Sequence, residues 1–388
     1  MRDVFRFGRA DRSFLARWFW EVDRPLLVMI LVLMGVGIIA VAAASPAAAF
    51  RLSDSSTRLP PLYFLQRQMI WAGLGLVVLL GVSMLPAMLA RRLALVGFPA
   101  ALVLLAAVPF VGAEVNGATR WIQLPVLQLQ PIELVKPLFV VATAWLLAAR
   151  FDDRSLPVMS LSFAMLAVIV LLLAVQPDFG QAALVSAVWL AQAALAGMPV
   201  ALLGGVAVLG AGGMVLAYLS SAHVARRIDG FLHGEGDTYQ VDRALDAFRS
   251  GGLFGTGPGD GTAKFRLPEA QTDYVFAVIG EEFGAIACFA LALLYVGIIL
   301  RVLLQLVEDE DPFTLLAGAG LVAQFGGQAF INMSVNLALA PSKGMTLPLV
   351  SHGGSSYLAT ALGLGLLLAI TRRNRHVQHS PYLRQVPR

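Results

Sequence analysis

Long apolar segments recur along the whole 388-residue chain, and they decide what the chain can fold into. A helix that spans the hydrocarbon core of a bilayer needs about 20 mostly apolar residues. Only 13% of the residues are charged, about half the share of roughly 25% that is usual in soluble domains. The sequence therefore predicts an all-α polytopic membrane protein with about ten transmembrane helices. The predicted spans are 25–44, 69–88, 93–112, 132–149, 156–175, 180–197, 199–219, 273–300, 312–334 and 354–370.

The arginines predict the orientation of these spans. Sixteen of the 25 arginines lie in the two tails and in the connections that follow even-numbered spans. Because basic residues favour the cytoplasmic side, we expect both termini there, with basic tails at 1–24 and 371–388 flanking a membrane domain at 25–370. A large external loop, about 220–272, then lies between helices 7 and 8. Arginines placed in this way act as topology signals, so the net charge of +4 does not indicate binding to nucleic acid.

Polar residues on the predicted outer face fall into three stretches, of which the first is 116–136. Arg120, beside Trp121, carries a fork of donors that suits a phosphate, although the two residues could equally anchor a span in the membrane interface. Lys136 lies one turn inside a span, where a cation must be paired or face a polar cavity. Its partner could be Glu133, three residues earlier on the same helix face, or a bound substrate, and both can hold at once.

The second stretch, 250–282, leads a glycine-rich loop into the next span. Asp273 lies where the loop becomes a helix, with Thr272 as the expected cap; the alternative is that Asp273 itself only caps the helix. An ionised carboxylate at this place could accept a proton from a sugar hydroxyl or bind a divalent cation. Glu281 and Glu282 point to different faces of the same helix, and we expect them to pair structurally with a buried cation.

The third stretch, 332–356, mixes prolines, glycines and serines with apolar residues, which predicts a re-entrant or interfacial loop buried against protein. Backbone N–H groups at the start of the last helix could hold an anion such as pyrophosphate, with a lysine adding positive charge. Tight helix packing would equally explain the small residues. The candidate binding residues of this stretch are Lys343, Ser351, Gly353, Gly354 and Ser355.

Together the three stretches, in this order on a ten-span chain, resemble the SEDS family (shape, elongation, division and sporulation). The resemblance covers nearly the whole chain and is most specific at 117–136, 176–180, 250–282 and 332–356. Within the family, residues 343–348 are more similar to the division members than to the elongation members. The resemblance implies that Asp273 is the family's essential external acid, and that three basic residues contribute to function: Arg120, Lys136 and Lys343.

Three residues depart from the family pattern. Gln271 stands where the family usually has His, His352 where it usually has Tyr, and Ile132 where it usually has Ser. None of these departures removes the acid, but they bear on how substrate is contacted.

The resemblance implies a peptidoglycan glycosyltransferase that polymerises lipid II at the outer face of the bacterial cytoplasmic membrane during division. Its implied partners are a class B penicillin-binding transpeptidase and other division proteins, besides the membrane lipid itself. A divalent cation, Mg²⁺ or Mn²⁺, could assist at Asp273. The alternatives are an elongation polymerase, an inactive scaffold, and a transporter that flips lipid II. A transporter would need polar groups reaching the midplane from both sides of the membrane.

Overall fold

The computed structural model describes residues 13–53, 58–115, 118–123, 128–220, 224–225, 229, 239–341 and 344–372. They are mostly helical, because a helix satisfies all its backbone hydrogen bonds internally in an apolar environment. Twelve α-helices lie in this part of the chain: α1 Phe14–Glu21, α2 Arg24–Leu52, α3 Tyr63–Ser83, α4 Ala87–Val111, α5 Pro131–Asp152, α6 Val158–Val175, α7 Phe179–Leu195, α8 Val200–Ser220, α9 Tyr239–Gly251, α10 Val275–Val307, α11 Pro312–Asn336 and α12 Gly354–Ile370.

Ten of these helices account for the predicted spans. Seven of them, α2 to α6, α10 and α11, are long and apolar enough to cross a bilayer. The shorter apolar helices α7, α8 and α12 coincide with the three remaining predictions. The predicted polytopic helical membrane fold is therefore confirmed, including the division between the closely spaced α7 and α8.

A small β-sheet follows α4, where the sequence predicted only an external loop. Its antiparallel strands are β1 Ala113–Val115, β2 Ala118–Gln123 and β3 Gln128–Leu129, in the order β1-β2-β3. The pairs Ile122–Leu129 and Gln123–Gln128 join β2 to β3. This small sheet is a local addition to the helical fold that the sequence predicted. The dipeptide Asn-Gly at 116–117 is a hairpin signal that could have indicated the first two strands.

The connections at the two ends of the helix bundle differ in length. Successive spans run in opposite directions. The described residues of the segments 112–130, 176–178, 239–274 and 337–353 therefore all meet at one end, which we call the loop-rich end. At the other end the connections 84–86, 153–157, 196–199 and 308–311 are short. Two ion pairs close that short-loop end, Arg301 with Asp23 (2.9 Å) and Arg372 with Glu21 (3.2 Å). The three polar stretches therefore share one end of the bundle.

Helix α10 is broken at Gly284, which has φ +81° and ψ 175°. Cys288 Sγ lies 3.8 Å from the carbonyl oxygen of Phe276. Those residues are twelve positions apart and would be separated by about 18 Å along a straight helix. The first part of α10, residues 275–283, therefore folds back against the second part, 285–307.

Residues 252–257, which we call the capping loop, satisfy the backbone groups that the break exposes. The carbonyl oxygens of Gly252 and Leu253 accept hydrogen bonds from the N–H groups of residues 285 (2.9 Å) and 286 (3.3 Å). In return, the N–H groups of residues 256 and 257 donate to the carbonyls of Glu281 (2.9 Å) and Glu282 (3.1 Å). Since an unpaired backbone group costs several kcal/mol in an apolar environment, the loop makes the break tolerable.

The predicted re-entrant segment lies deep in the bundle. Leu347, Leu349 and Val350 are buried, and Tyr295 Oη donates a 2.6 Å hydrogen bond to the carbonyl of Pro348. This segment also packs against the middle of α2, where only a glycine leaves room for it. The prediction of a loop buried against protein is confirmed.

Substitution of Gly37 in α2 tests this packing. A Cβ atom on Gly37 would clash with the carbonyl oxygen of Leu349, whereas a Cβ atom on Gly35 would meet nothing within 4 Å. Gly37→Ala is therefore expected to destabilise the protein by about 1–3 kcal/mol, as overpacking does, and Gly35→Ala to have no such cost. The midpoint of thermal unfolding in detergent measures both. Equal midpoints for the two variants would contradict the packing described here.

Candidate active site at the loop-rich end

Asp273 lies at the loop-rich end, just before α10. The helix begins at Val275 with Tyr274 at the N-cap position, so Asp273 does not occupy the cap position. Thr272 does not cap the helix as expected, because its hydroxyl donates to Glu269 Oε2 (2.8 Å). Asp273 is partly buried, and a Cβ atom on Gly344 would lie 3.4 Å from its Oδ2. The carboxylate therefore lies against the chain immediately after position 343.

Three consecutive main-chain carbonyl groups, those of residues 271–273, are each held by the third polar stretch. The donors are the N–H of His352 to Gln271 (2.8 Å), Ser351 Oγ to Thr272 (2.6 Å), and the side-chain amides of Asn332 and Asn336 to Asp273 (2.8 Å each). We call this arrangement the carbonyl clamp. It gives the backbone that carries Asp273 a defined position.

The two asparagines of the clamp join three elements. Asn332 also donates to the carbonyl of Met345 (2.7 Å), and Asn336 Oδ1 accepts from the N–H of Ala277 (3.1 Å). Helix α11 therefore connects the Asp273 backbone to the re-entrant segment and to the start of α10. The sequence alone predicted no role for either asparagine. The available signal was a row of amides four residues apart on one helix face, Gln324, Gln328, Asn332 and Asn336.

Lys136 and Glu133 form the ion pair that the sequence offered as one alternative, at 2.9 Å. Lys136 is only 1% exposed, and its Nζ also donates to Gln181 Oε1 (3.0 Å) and Gln328 Oε1 (2.7 Å). An ammonium group has three N–H donors, and all three are used here. Direct contact with a substrate, the other alternative, would require one of these bonds to be exchanged.

A chain of polar side chains connects this buried cluster with the re-entrant segment. Gln328 Nε2 donates to the carbonyl of Thr346 (3.0 Å), and the hydroxyls of Thr346 and Ser356 are 2.6 Å apart. Thr346 follows Met345, which Asn332 holds. Lys136 is thus connected to the Asp273 region through the protein.

Arg120, on strand β2, contacts the turn between α6 and α7. Its guanidinium donates to the carbonyls of Gln176 (3.2 Å) and Pro177, and its Nε lies 3.9 Å from Asp178 Oδ2. The side chain is only 15% exposed. Burial raises the pKa of Asp178, and the adjacent Arg120 guanidinium opposes that shift. The structure therefore brings Arg120 to the loop-rich end in a largely structural setting, and its contact with substrate stays a prediction.

The start of α12 shows the packing role that was one alternative for its small residues. A Cβ atom on Gly354 would lie 2.7 Å from the Trp71 indole. The Gly353 carbonyl accepts from the N–H of Tyr357 (2.8 Å), and Ser355 Oγ accepts from the N–H of Gln130 (3.3 Å). Anion binding at this helix start stays a prediction. Lys343, which was expected to add charge there, lies outside the described residues.

Two of the three departures from the family pattern are in contact, since the N–H of His352 donates to the carbonyl of Gln271. His352 Nδ1 lies 3.1 Å from Gln68 Oε1. Burial, and to a lesser degree the nearby Arg67, lowers the pKa of His352 to about 4, so that its ring is neutral at pH 7. The third departure, Ile132, is buried in the apolar core, an environment that suits an apolar side chain.

Glu282 pairs with a buried cation as expected, whereas Glu281 is held by backbone N–H groups instead. Glu282 forms a buried ion pair with Lys264. Glu281 accepts hydrogen bonds from the N–H groups of Ala263 (2.6 Å) and Lys264 (2.8 Å), at the start of a short 3₁₀ helix, Ala263–Arg266. These two acids therefore have structural partners and lie outside the candidate site.

One hypothesis from the sequence was that a divalent cation binds at Asp273. Within the described residues, no group of three His, Cys, Asp or Glu side chains could hold a metal ion. Mg²⁺ is usually held by one or two carboxylates together with substrate phosphates. Asp273 could supply such a single carboxylate, and the role of a cation stays a prediction.

The helices and the clamped acid define a multi-pass membrane protein with a polar site at one end of its bundle. A family model described as cell cycle protein, covering FtsW, RodA and SpoVE, matches residues 24–376. The chain is 39% identical over 373 residues to the "probable peptidoglycan glycosyltransferase FtsW" of Caulobacter vibrioides, covering 95% of this chain and 93% of that relative. It is 35% identical over 404 residues to the protein of the same name from Alkalilimnicola ehrlichii, covering 100% and 98%.

Solved structures agree with these relatives. A chain of a peptidoglycan synthase complex, described in terms of coordinated polymerisation and crosslinking, has a TM-score of 0.72 at 28% identity, covering 90% of this chain and 97% of that one. The rod shape determining protein RodA of Thermus thermophilus has a TM-score of 0.65 at 29% identity, with 90% and 96% covered. The chain belongs to the FtsW/RodA/SpoVE family, which is the SEDS family that its sequence resembles.

Proposed function

We propose that this protein is an inverting glycosyltransferase that polymerises lipid II into glycan strands during cell division. The names of its FtsW relatives support this activity. The observation that carries the proposal for this chain is the carboxylate of Asp273, whose backbone the carbonyl clamp holds at the loop-rich end. A base for glycosyl transfer needs such a defined position.

The depth of Asp273 suits a substrate whose lipid tail stays in the membrane. Asn332 and Asn336, which bind its carbonyl, lie 20 and 24 residues after the start of α11 at Pro312. At 1.5 Å per residue these distances are about 30 and 36 Å along the helix. The hydrocarbon core of a bilayer is about 30 Å thick. Asp273 would thus lie near the membrane boundary, where the sugar and pyrophosphate of a prenyl-linked substrate meet water.

The chemistry requires one base. Formation of a β-1,4 bond from an α-linked lipid pyrophosphate inverts the anomeric carbon, so no covalent sugar intermediate is needed. Asp273 accepts the proton of the acceptor 4-hydroxyl as that oxygen attacks. The charge of the departing pyrophosphate is stabilised by Arg120 and Lys343, and a divalent cation, if bound, adds positive charge at the same place. Lys136 supports the site from within the protein.

The loop-rich end faces the outside of the bacterial cytoplasmic membrane in this proposal, and both termini are cytoplasmic. The excess of arginines at the short-loop end supports this orientation. A class B penicillin-binding transpeptidase and other division proteins are the proposed partners, and the likeness to a chain of a peptidoglycan synthase complex supports the first of them. A division role, rather than elongation, follows the FtsW names of the relatives.

Purified protein supplied with lipid II in detergent tests the activity. Detergent removes the two sides of the membrane, so only a polymerase changes the substrate, and long glycan strands are the expected product. Candidate transpeptidases of division and of elongation, each added separately, would show which partner activates the protein. If lipid II stays monomeric with every partner, a flippase or a scaffold replaces the proposal.

Asn332 tests whether the clamp serves catalysis. Asn332→Asp keeps the side-chain size but replaces the amide that donates to the carbonyls of Asp273 and Met345. Because a displacement of about 1 Å at a reacting group can cost 10²-fold in rate, we expect polymerisation to fall by at least about tenfold. Gln305→Glu is the matched control, since Gln305 donates to the carbonyl of Thr371 at the short-loop end (2.8 Å). Equal rates for the two variants would contradict a positioning role.

A further inference from the structure

The carbonyl clamp uses only the backbone N–H of His352, while the side chain of that residue contacts helix α3. Its ring makes a T-shaped contact with Phe64, with ring centroids 5.4 Å apart and an interplanar angle of 82°. Ring Nδ1 lies 3.1 Å from the Oε1 atom of Gln68, one helical turn after Phe64. Helix α3 therefore holds the residue whose N–H binds the carbonyl of Gln271.

Gln68 is fully buried, at 0% exposure. A buried amide that makes no hydrogen bond is costly. Within the described part of the chain, His352 is the one hydrogen-bond partner of the Gln68 side chain. An amide oxygen can only accept a hydrogen bond, so Nδ1 of the imidazole is the donor. This hydrogen bond therefore fixes the orientation of the His352 ring on the buried amide.

The backbone on the two sides of His352 is held unequally. Before it, Ser351 Oγ donates to the carbonyl of Thr272 (2.6 Å). After it come two glycines, and glycine restricts its own backbone least of all residues. The contact of the ring with α3 therefore provides a second hold on residue 352, independent of the hold at Ser351.

We propose that Gln68 and His352 are positioning residues for Asp273. The hydrogen bond between their side chains fixes residue 352, whose N–H binds the carbonyl two residues before the acid (2.8 Å). The other clamp donors come from residues 332, 336 and 351, and the Gln68–His352 pair joins the clamp to α3 as well. This inference rests on the proposed function, because the position of Asp273 affects the rate only if that residue takes part in the reaction.

Two substitutions of His352 test whether its hydrogen bond matters. Asparagine places its amide nitrogen close to the position of Nδ1 and can donate to Gln68, whereas leucine has a similar size but no donor. We expect His352→Asn to polymerise lipid II near the parental rate. His352→Leu should lose at least about tenfold in kcat, because a displacement of about 1 Å at a reacting group can cost 10²-fold. KM should change little in both variants, because neither side chain is proposed to contact substrate.

Gln68→Leu removes the same hydrogen bond from the other side and should lower kcat to a similar extent. If the two residues act through one hydrogen bond, the variant with both leucines is no slower than either single variant. Gln66→Leu is the matched control, since Gln66 is an exposed amide on the same helix, and we expect it to work at the parental rate. The midpoint of thermal unfolding, measured on the same preparations, shows that each variant is folded.

Three results would overturn the inference. The first is a folded His352→Leu or Gln68→Leu variant that works at the parental rate. The second is an equal loss of kcat in His352→Asn and His352→Leu, which would show that the hydrogen bond is not what matters. The third is a loss in the double variant equal to the product of the two single losses, which would show that the residues act separately. The activity of the parental protein tests the proposed function, whereas the ratios between variants test the pair.

Discussion

Replacing Asp273 with asparagine is expected to abolish lipid II polymerisation. Asparagine has the same size and shape but cannot accept the proton of a sugar hydroxyl, and general base catalysis contributes about 10²–10⁴-fold to rate. The hydrogen bonds of the carbonyl clamp involve the main chain of residue 273, so the fold should survive the change. The measurement is the initial rate of glycan synthesis by purified protein, with its transpeptidase partner present, alongside the midpoint of thermal unfolding.

Asp260→Asn is the matched control for this experiment. Asp260 is an exposed carboxylate in the same segment between α9 and α10, and its substitution removes one negative charge from the loop-rich end. We expect that variant to polymerise at the parental rate. Should Asp273→Asn also do so while remaining folded, Asp273 is not the base and the proposed mechanism fails.

Replacing Lys136 with methionine is expected to destabilise the protein severely. Methionine retains most of the aliphatic stem, but it leaves Glu133, which is 3% exposed, without its cation. Removing one partner of a buried pair costs about 3–5 kcal/mol because the remaining charge is uncompensated. Gln181 and Gln328 would also each lose a hydrogen bond to the ammonium group. Thermal unfolding and the yield of folded protein measure this loss.

A second substitution separates the two roles that the sequence left open for Lys136. Glu133→Gln combined with Lys136→Met removes both charges, and much of the lost stability is expected to return because no unpaired charge remains. Polymerisation by this double variant then decides between the alternatives. Activity near the parental rate would show that the lysine acts through the structure, whereas a stable but inactive double variant would indicate contact with substrate. Unchanged stability of the single variant would contradict the burial of the cluster.

The sequence was sufficient for the spans and for the end of the bundle at which the polar residues meet. Both follow from local properties, since apolar runs set the helices and their alternation sets which connections share an end. It was also predictable that Glu281 and Glu282 each have a partner in the fold, because buried acids at those positions need one. The identity of the partners was not, since Lys264 reaches Glu282 only after the chain between α9 and α10 has folded back.

Features that depend on contacts between distant segments could not be predicted. In the sequence, Gly284 looks like an ordinary glycine within an apolar helix. The break of α10 at this residue depends on hydrogen bonds from the capping loop, which the sequence does not reveal. The clamp likewise joins residues 271–273 to α11 and to the re-entrant segment across 59 to 81 positions. Asn332 and Asn336 carry no signature that names a backbone carbonyl as their acceptor. Long-range pairing of this kind is decided by packing.

The carbonyl clamp holds residue 273 by its main-chain oxygen. The clamp therefore does not depend on which side chain that residue carries. Scaffold and reactive group are therefore separable in this protein. A variant that lacks the acid should still have an intact binding site for the prenyl-linked sugar. Such a protein would be suited to trapping bound donor and acceptor together, in a state that turnover would otherwise consume.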